Sequence, residues 1–519
     1  MAIGIAATAL ALALFNQSAP RDNRPSVIVL VVDGLRPDMI TQEMMPNLFR
    51  LKKEGVWCSN SHSVFPTVTR VNAASISTGT VPAAHGIVSN TMYVEGVSPT
   101  PFDTANYQNL LKLAAVSNGR AVAVPTLAEV LEKAGVSFVG MSSGSTGSGF
   151  LLNPMAPTGV GTLISGSLED GRRVAFPDRV DQEIRRRLGS EKAEAGIQSL
   201  RWTERVLRDY VLRELRARVV IDWLTEPDTT QHRYGVGSPE AREALKAEDE
   251  QIGLLRTKLD ELGLSSSTDI IVTADHGFAA EPDPVDLRAA IQATGRADGI
   301  ITASNGPSVL LYVKNHDADL IQRMVAQLQA TDDVDVLFTT AQRPKAGSIQ
   351  CRPGSDHGWV PGTFSLELIN ECRPTRAADI IATFRWTSEP NEFGASGVQR
   401  IASTDPRRNV HGRSGHGGLN PWVVHTPMVL WGPDFRERAV VEAPVANFDI
   451  APTILALEKI PAPAAMTGRV VAEAFRSAPR PDRKPRVRTM TTRAGAYCAS
   501  IQLSSAGRNT YIDSGQRCK

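Results

Sequence analysis

Val27 to Val32 (VIVLVV) is an unbroken apolar, mostly β-branched run that stops abruptly at Asp33-Gly34. Without polar alternation, such a run reads as a strand buried on both faces, the situation in a parallel sheet covered by helices on each side. The pattern returns in Val219-Val220-Ile221, ahead of a loop with Asp228 and His232, and in Asp269 to Thr273 (DIIVT), ahead of Asp275-His276. In open α/β sheets ligands collect outside the carboxyl ends of the strands. Three acidic strand ends therefore favour one shared site on an α/β/α sandwich with a central, mostly parallel sheet. Thr126 to Gly135 (TLAEVLEKAG) reads as a helix ended by glycine and Val136 to Met141 as the next strand, continuing a βαβ alternation with right-handed crossovers.

Each piece taken alone has an ordinary explanation. A strand ending in Asp-Gly is a common turn. Asp228 and His232, four residues apart after Pro227, are also what an N-capped helix with one exposed histidine looks like. Asp275-His276-Gly277 is sharper, because adjacent Asp and His at a buried strand end have little reason to be there without a cation. Thr69 in FPTVTR and His416 in SGHGG complete the set, so three of only 9 histidines fall in these pieces. The donor types suit two zinc ions, each roughly tetrahedral with a position left open. Asp228, His232 and His416 make one three-ligand group, and Asp33, Asp275 and His276 a second. Thr69 completes the second, its hydroxyl being a poor nucleophile until a metal lowers its pKa. No thiolates accompany these ligands, which argues against a structural zinc knot.

The segments VVDGLRPD (31–38), MPNLFRLKKEGV (45–56), FPTVTRVNAASISTG (65–79), HGIVSNTMY (85–93), EPDTTQHRYG (226–235), TADHGF (273–278) and HGGLN with WGPDF (416–435) occur in one order. In that order the chain, over roughly residues 26–460, resembles the alkaline phosphatase superfamily and, within it, the type I phosphodiesterase/nucleotide pyrophosphatase family. The resemblance implies that Thr69 is a nucleophile forming a phosphothreonine intermediate and that Asn90 contacts a phosphoryl oxygen. It also implies that Asp228, His232 and His416 hold one zinc, while Asp33, Thr69, Asp275 and His276 hold the other. A smaller α+β cap, inserted at about 299–413, is implied to shape the pocket and choose the leaving group. Within it, Ser308 to Val313 reads as a strand and His316 to Leu328 as a helix.

One departure from the family pattern concerns Arg70, which follows the nucleophile where nucleotide-cleaving members carry an aromatic. A guanidinium stacks on a base or grips a phosphate in bidentate fashion, so Arg70 is expected to bind substrate, as is Tyr93. It also keeps open a phosphomonoesterase or a phosphonate hydrolase of the same superfamily. A sulfatase fits less well, since Thr69 stands where that family needs a Cys or Ser. A catalytically dead binding protein would have lost a ligand, and none is missing. His85 reads as structural support, Asp356-His357 as pocket rim or decoy, and His62, His316, His411 and His425 as surface or packing residues.

At 519 residues the chain suits two to three domains or one large α/β unit with insertions, and 42% hydrophobic residues provide a sizeable core. A net charge of +1 gives no global field for a nucleic-acid polymer or an acidic membrane, so the expected partner is a small phosphate ester. Ala2 to Phe15 is apolar, too short to span a bilayer and suited to a signal peptide ending near residue 19, which implies a periplasmic or secreted protein without stable membrane insertion. In an oxidising compartment Cys351–Cys372 and Cys498–Cys518 are expected to pair, leaving Cys58 free. Residues 95–125 read as loop-rich, 180–218 as helical, and Ser142 to Gly149 (SSGSTGSG) as a turn near the site. The catalytic unit is expected over 26–475, followed by a Pro- and Arg-rich linker and a C-terminal extension over 476–519. The end of that extension reads as a disulfide-pinned hairpin or a strand added to the core.

Overall fold

The computed structural model describes residues 26–169, 172–189, 196–282, 284–345, 347, 349–352, 354–403, 414–479 and 485–518. The expected signal peptide, His411 and part of the linker lie outside them.

Val27–Val32 forms a central strand of a nine-stranded sheet. Every residue of that strand is at most 1% exposed. Val27, Val29 and Val31 feed one hydrophobic core while Ile28, Leu30 and Val32 feed the other, as a strand covered on both faces requires. Across the sheet the order is Ala439–Val441, Val56–Cys58, Met428–Trp431, Asp269–Thr273, Val27–Val32, Val219–Leu224, Phe138–Ser142, Thr162–Glu169 and Arg172–Phe176. Val27–Val32 pairs in parallel with both Asp269–Thr273 and Val219–Leu224. Antiparallel pairing is confined to Met428–Trp431 and Arg172–Phe176 with their neighbours. The helix Thr69–Thr78 contributes Ala73, Ala74 and Ile76 to one core, and the helix Pro239–Glu261 contributes Leu245, Ile252, Leu255 and Leu259 to the other. The result is the α/β/α sandwich that the apolar runs imply.

A second, five-stranded sheet is built from Ile300–Asn305, Ser308–Val313, Ile380–Phe384, Val334–Thr339 and Phe364–Ser365, with the helix Ala318–Ala330 against it. That helix starts two residues later than its periodicity suggests. Asn315 and His316 take left-handed backbone angles, and Asp317 then caps the helix through the amides of Asp319 and Leu320. Two other stretches also differ from expectation. Ser145 caps a helix, Thr146–Leu152, inside the glycine- and serine-rich stretch read as a turn, and Tyr107–Ala115 is helical inside the loop-rich stretch.

The C-terminal residues form a separate antiparallel sheet of Arg486–Ala494, Tyr497–Ala506 and Asn509–Arg517. Cys351–Cys372 and Cys498–Cys518 are disulfide-bonded, and Cys58 is free and buried.

Candidate active site

The sheet brings its ligand-bearing ends together by register. Asp33 follows directly from its strand, and its amide donates to Leu224 O at 2.8 Å. Asp228 opens the helix Asp228–Tyr234 and donates its amide to Asp33 O at 3.1 Å. Asp275 accepts the Gly34 amide at 3.1 Å. His416 arrives from a distant part of the chain because Ser414–Gly415 pairs antiparallel with Ala279–Ala280, just beyond His276. Thr69 is the first residue of its helix, where uncompensated amides favour an anion.

Three imidazoles share one arrangement. The Nδ1 of His232 lies 3.0 Å from Ser414 O, that of His416 3.0 Å from Thr67 O, and that of His276 3.1 Å from Gly277 O. A carbonyl only accepts, so each Nδ1 carries a proton and each Nε2 is turned inward, where its lone pair is available to a cation once it carries no proton. This is how metal-binding histidines are oriented.

The inward atoms fall into two groups. His232 Nε2, His416 Nε2 and Asp228 Oδ1 are mutually separated by 3.2, 3.4 and 3.5 Å. His276 Nε2 lies 3.5 Å from Asp33 Oδ1, 3.0 Å from Asp275 Oδ2 and 3.3 Å from Thr69 Oγ1. Ligands on a tetrahedral zinc at its ordinary bond lengths are about 3.3 Å apart, so both groups have the spacing of a coordination shell. Asp33 Oδ1, Asp228 Oδ1 and Asp275 Oδ2 are buried and have no hydrogen-bond partner. Buried carboxylate oxygens left this way are costly unless a cation compensates them.

Two of the three carboxyls, Asp33 and Asp275, bear the mark of that lack of compensation. Burial and the neighbouring carboxylates push Asp33 well above the usual carboxylate range, and burial followed by Asp228 pushes Asp275 up to about 7. Burial also works against ionising Asp228, but His232, His416 and His276 outweigh it and hold that carboxyl below its usual range. His232 has a side chain 43% exposed and is held up to about 9, loss of water opposing and the Asp228 carboxylate prevailing. Burial, and then the His276 charge, push His416 well below the usual imidazole range. The donor set fits a pair of divalent cations.

Of the other expected site residues, Asn90 and Arg70 are joined next to Thr69, whereas Tyr93 lines a cavity that none of the ligand residues reaches. Asn90 Oδ1 accepts the Arg70 amide at 2.9 Å. Arg70 is mostly buried, its Nε has no partner, and its guanidinium lies 3.6 Å from the exposed Asp103 carboxylate. Tyr93 meets Tyr312 edge-on, ring centroids 5.6 Å apart, and lines a cavity of about 640 Å³ with Lys314 and His316. His85 is buried, with its Nε2 at 3.0 Å from Ser75 Oγ and its Nδ1 accepting the Ile87 amide, the supporting role expected of it. His357 is exposed and outside the cluster. His62 is more than a packing residue: it is 1% exposed and paired with Asp513.

Three groups were not singled out by sequence. Trp223 Nε1 donates to Asp33 Oδ2 at 2.8 Å, fixing which carboxylate oxygen faces inward. Asn447 Nδ2 donates to Asp275 O and to Asn72 Oδ1, and Asn72 in turn donates to Val68 O, tying the threonine helix to the Asp275 strand. Trp223 looked like one more apolar strand residue, and Asn72 and Asn447 are recognisable only once the two segments are in contact.

Several known proteins are similar to part of this sequence, and others are similar to the fold. Human ectonucleotide pyrophosphatase/phosphodiesterase family member 1 is 27% identical over 264 residues, which is 49% of this chain and 24% of that protein. A bis(5′-adenosyl)-triphosphatase of Pongo abelii is 28% identical over 259 residues, covering 49% of this chain and 48% of the relative. Venom phosphodiesterase 2 of Crotalus adamanteus is 25% identical over 254 residues, covering 49% and 26%. The chain thus spans half or less of the length of these relatives. Among solved structures, human ectonucleotide pyrophosphatase/phosphodiesterase 5 superposes with a TM-score of 0.60 at 16% identity, over 87% of this chain and 100% of that one. An inactive variant of the murine protein in complex with AMP gives 0.57 at 16% identity, over 85% and 96%. Residues 27–387 match the family model of type I phosphodiesterase/nucleotide pyrophosphatase, and the chain belongs to that family.

Proposed function

We propose that this chain is an exported phosphodiesterase/nucleotide pyrophosphatase that holds two zinc ions and works through a phosphothreonine intermediate. The observation that carries this reading is the spacing of two ligand groups at about 3.3 Å around three buried carboxylate oxygens without a hydrogen-bond partner. In this reading Asp228, His232 and His416 hold one ion, and Asp33, Thr69, Asp275 and His276 the other. When bound, the ions supply Lewis acidity that lowers the pKa of the Thr69 hydroxyl and opposes charge on the phosphoryl oxygens.

The chain's own groups do the rest. Thr69 Oγ1 attacks phosphorus, the P–O bond to the leaving alcohol breaks, and the alcohol departs with a proton. Water then cleaves the phosphothreonine, releasing a phosphate monoester and restoring the hydroxyl. Asn90 spends its carbonyl oxygen on the Arg70 amide, which turns its NH₂ group into a donor for a phosphoryl oxygen. Arg70, with an unpartnered Nε and only a loose acidic neighbour, grips a phosphate or stacks on a base. In this reading a cap over about 299–413, inserted in a catalytic unit of 26–475, selects the leaving group, and Tyr93 meets that cap through its edge-on contact with Tyr312. Export is supported by the two disulfides. Among the described residues no helix is long and apolar enough to cross a membrane. AMP on the murine relative, and the diadenosine compound in the name of the Pongo abelii relative, make nucleotide diesters and pyrophosphates the first substrates to try.

The test is the ratio of kcat/KM for bis(p-nitrophenyl) phosphate over p-nitrophenyl phosphate, with the Thr69→Ala variant as blank. A ratio well above one supports a diesterase. A ratio well below one makes Arg70 the mark of a phosphomonoesterase.

A further inference from the structure

The sheet at the C-terminal end lies outside the family-matched residues, yet it touches both loops that carry inward-facing groups. Its contact with the threonine side runs through His62. That ring is 1% exposed, with Nδ1 at 2.9 Å from Val445 O and Nε2 at 2.9 Å from Asp513 Oδ1. Held between these two partners, the ring forms a buried bridge from the core to the Asn509–Arg517 strand. The Asp513 carboxylate also accepts from Ser504 Oγ at 2.8 Å on the neighbouring strand.

Two residues before Asp513, Tyr511 stacks on Phe448 with ring centroids 5.6 Å apart and donates to Asp449 Oδ2 at 3.0 Å. It shares a small hydrophobic cluster with Val64, Val68 and Val71. Val68 is the residue before Thr69, and its extended backbone sets where the helix begins.

Two residues after Asp513, the Gly515 amide donates to Leu419 O at 3.0 Å, three positions beyond His416. Leu419 approaches so closely that a Cβ on Gly515 would lie 2.6 Å from its Cδ1. The same loop is tied to the threonine side by Thr67, whose Oγ1 donates to Gly418 O at 2.9 Å and whose carbonyl accepts from His416. One strand thus backs both the segment that presents Thr69 and the segment that presents His416, at alternate residues facing the core.

We propose that the C-terminal sheet is a positioning element of the active site, with Asp513, Tyr511 and Gly515 fixing the Thr69 and His416 loops relative to one another. This rests on the roles proposed above for Thr69 and His416. None of the three touches the reacting atoms. They act through His62, Val68 and Leu419, where a displacement on the order of 1 Å is enough to cost about 10²-fold in rate.

The test compares zinc-loaded, full-length wild type with Asp513→Asn and Gly515→Ala, using Val487→Ala, an exposed site on the same sheet, as control. Amide hydrogen exchange and steady-state kinetics on bis(p-nitrophenyl) phosphate are both read. We expect faster exchange in peptides covering 63–72 and 414–420, with Val27–Val32 and Asp269–Thr273 unchanged. We also expect kcat to fall roughly tenfold or more with KM within about twofold, because placement rather than affinity is lost. Exchange unchanged in those two peptides, exchange raised uniformly across the chain, or local exchange with kcat unchanged would each overturn the proposal. Should wild type turn over no diester, the functional reading fails by itself, and exchange in the two peptides still decides the role of the sheet.

Discussion

His232 and His416 point their Nε2 atoms at one another across 3.2 Å, while each gives its Nδ1 proton to a backbone carbonyl. Two inward lone pairs at that distance repel unless a proton or a cation lies between them. Asp228 Oδ1, 3.4 and 3.5 Å from the same two nitrogens, adds the negative charge that makes a divalent cation the better occupant.

Removal of such a cation should therefore destabilise the folded protein. We expect exhaustive chelation to lower the thermal midpoint and zinc to restore it, since free metal at 100 times its Kd contributes about 2.7 kcal/mol. The His416→Ala variant should hold less zinc by elemental analysis. Two tightly bound zinc ions per chain in that variant would contradict its assignment.

Trp223 tests the surroundings of the ligands. Trp223→Phe keeps the packing of a fully buried ring but deletes the donor to Asp33 Oδ2. Zinc affinity measured against a competing chelator should fall by about 10- to 100-fold, the usual cost of losing such an orienting partner. Unchanged affinity would mean that Asp33 needs no such restraint.

Asn90→Ala removes the amide donor together with the acceptor of the Arg70 N–H. A loss in kcat on the order of 10² is expected, visible in steady-state kinetics on the diester. A change under about threefold would take Asn90 away from the phosphoryl group.

Much of the fold was legible because burial on both faces leaves a plain mark. Val27–Val32 is apolar throughout and Asp269–Thr273 is apolar between its two end residues, so their ends, and with them Asp33 and Asp275, could be placed from the sequence. Trp223 could not, because its role depends on its register against Val31 across the sheet. His416 was visible only as a motif, since a pairing between Ser414–Gly415 and Ala279–Ala280 carries it to the site. Serine and glycine in SSGSTGSG suggested a turn, whereas Ser145 uses its hydroxyl to start a helix. The C-terminal strands were hardest to place. Ala499, Ile501 and Leu503 alternate as buried residues, but which surface they cover is decided by Asp513 and Tyr511.

The cysteines give a chemical check on the fold. Cys58 is buried, and burial pushes its thiol up to about 12, so it should resist alkylation in the native protein. Denaturation without reductant should expose Cys58 alone, and reduction should expose all 5 cysteines. Five alkylated thiols without reduction would rule out both disulfides.

The most direct test of the central claim is to quench zinc-loaded enzyme during turnover of bis(p-nitrophenyl) phosphate and map the phosphoryl group by peptide mass spectrometry. A phosphoryl adduct on Thr69, appearing with the first turnover and absent from Thr69→Ala along with activity, is the predicted result. Undiminished turnover by Thr69→Ala, or turnover with the phosphoryl group on another residue, would contradict the account.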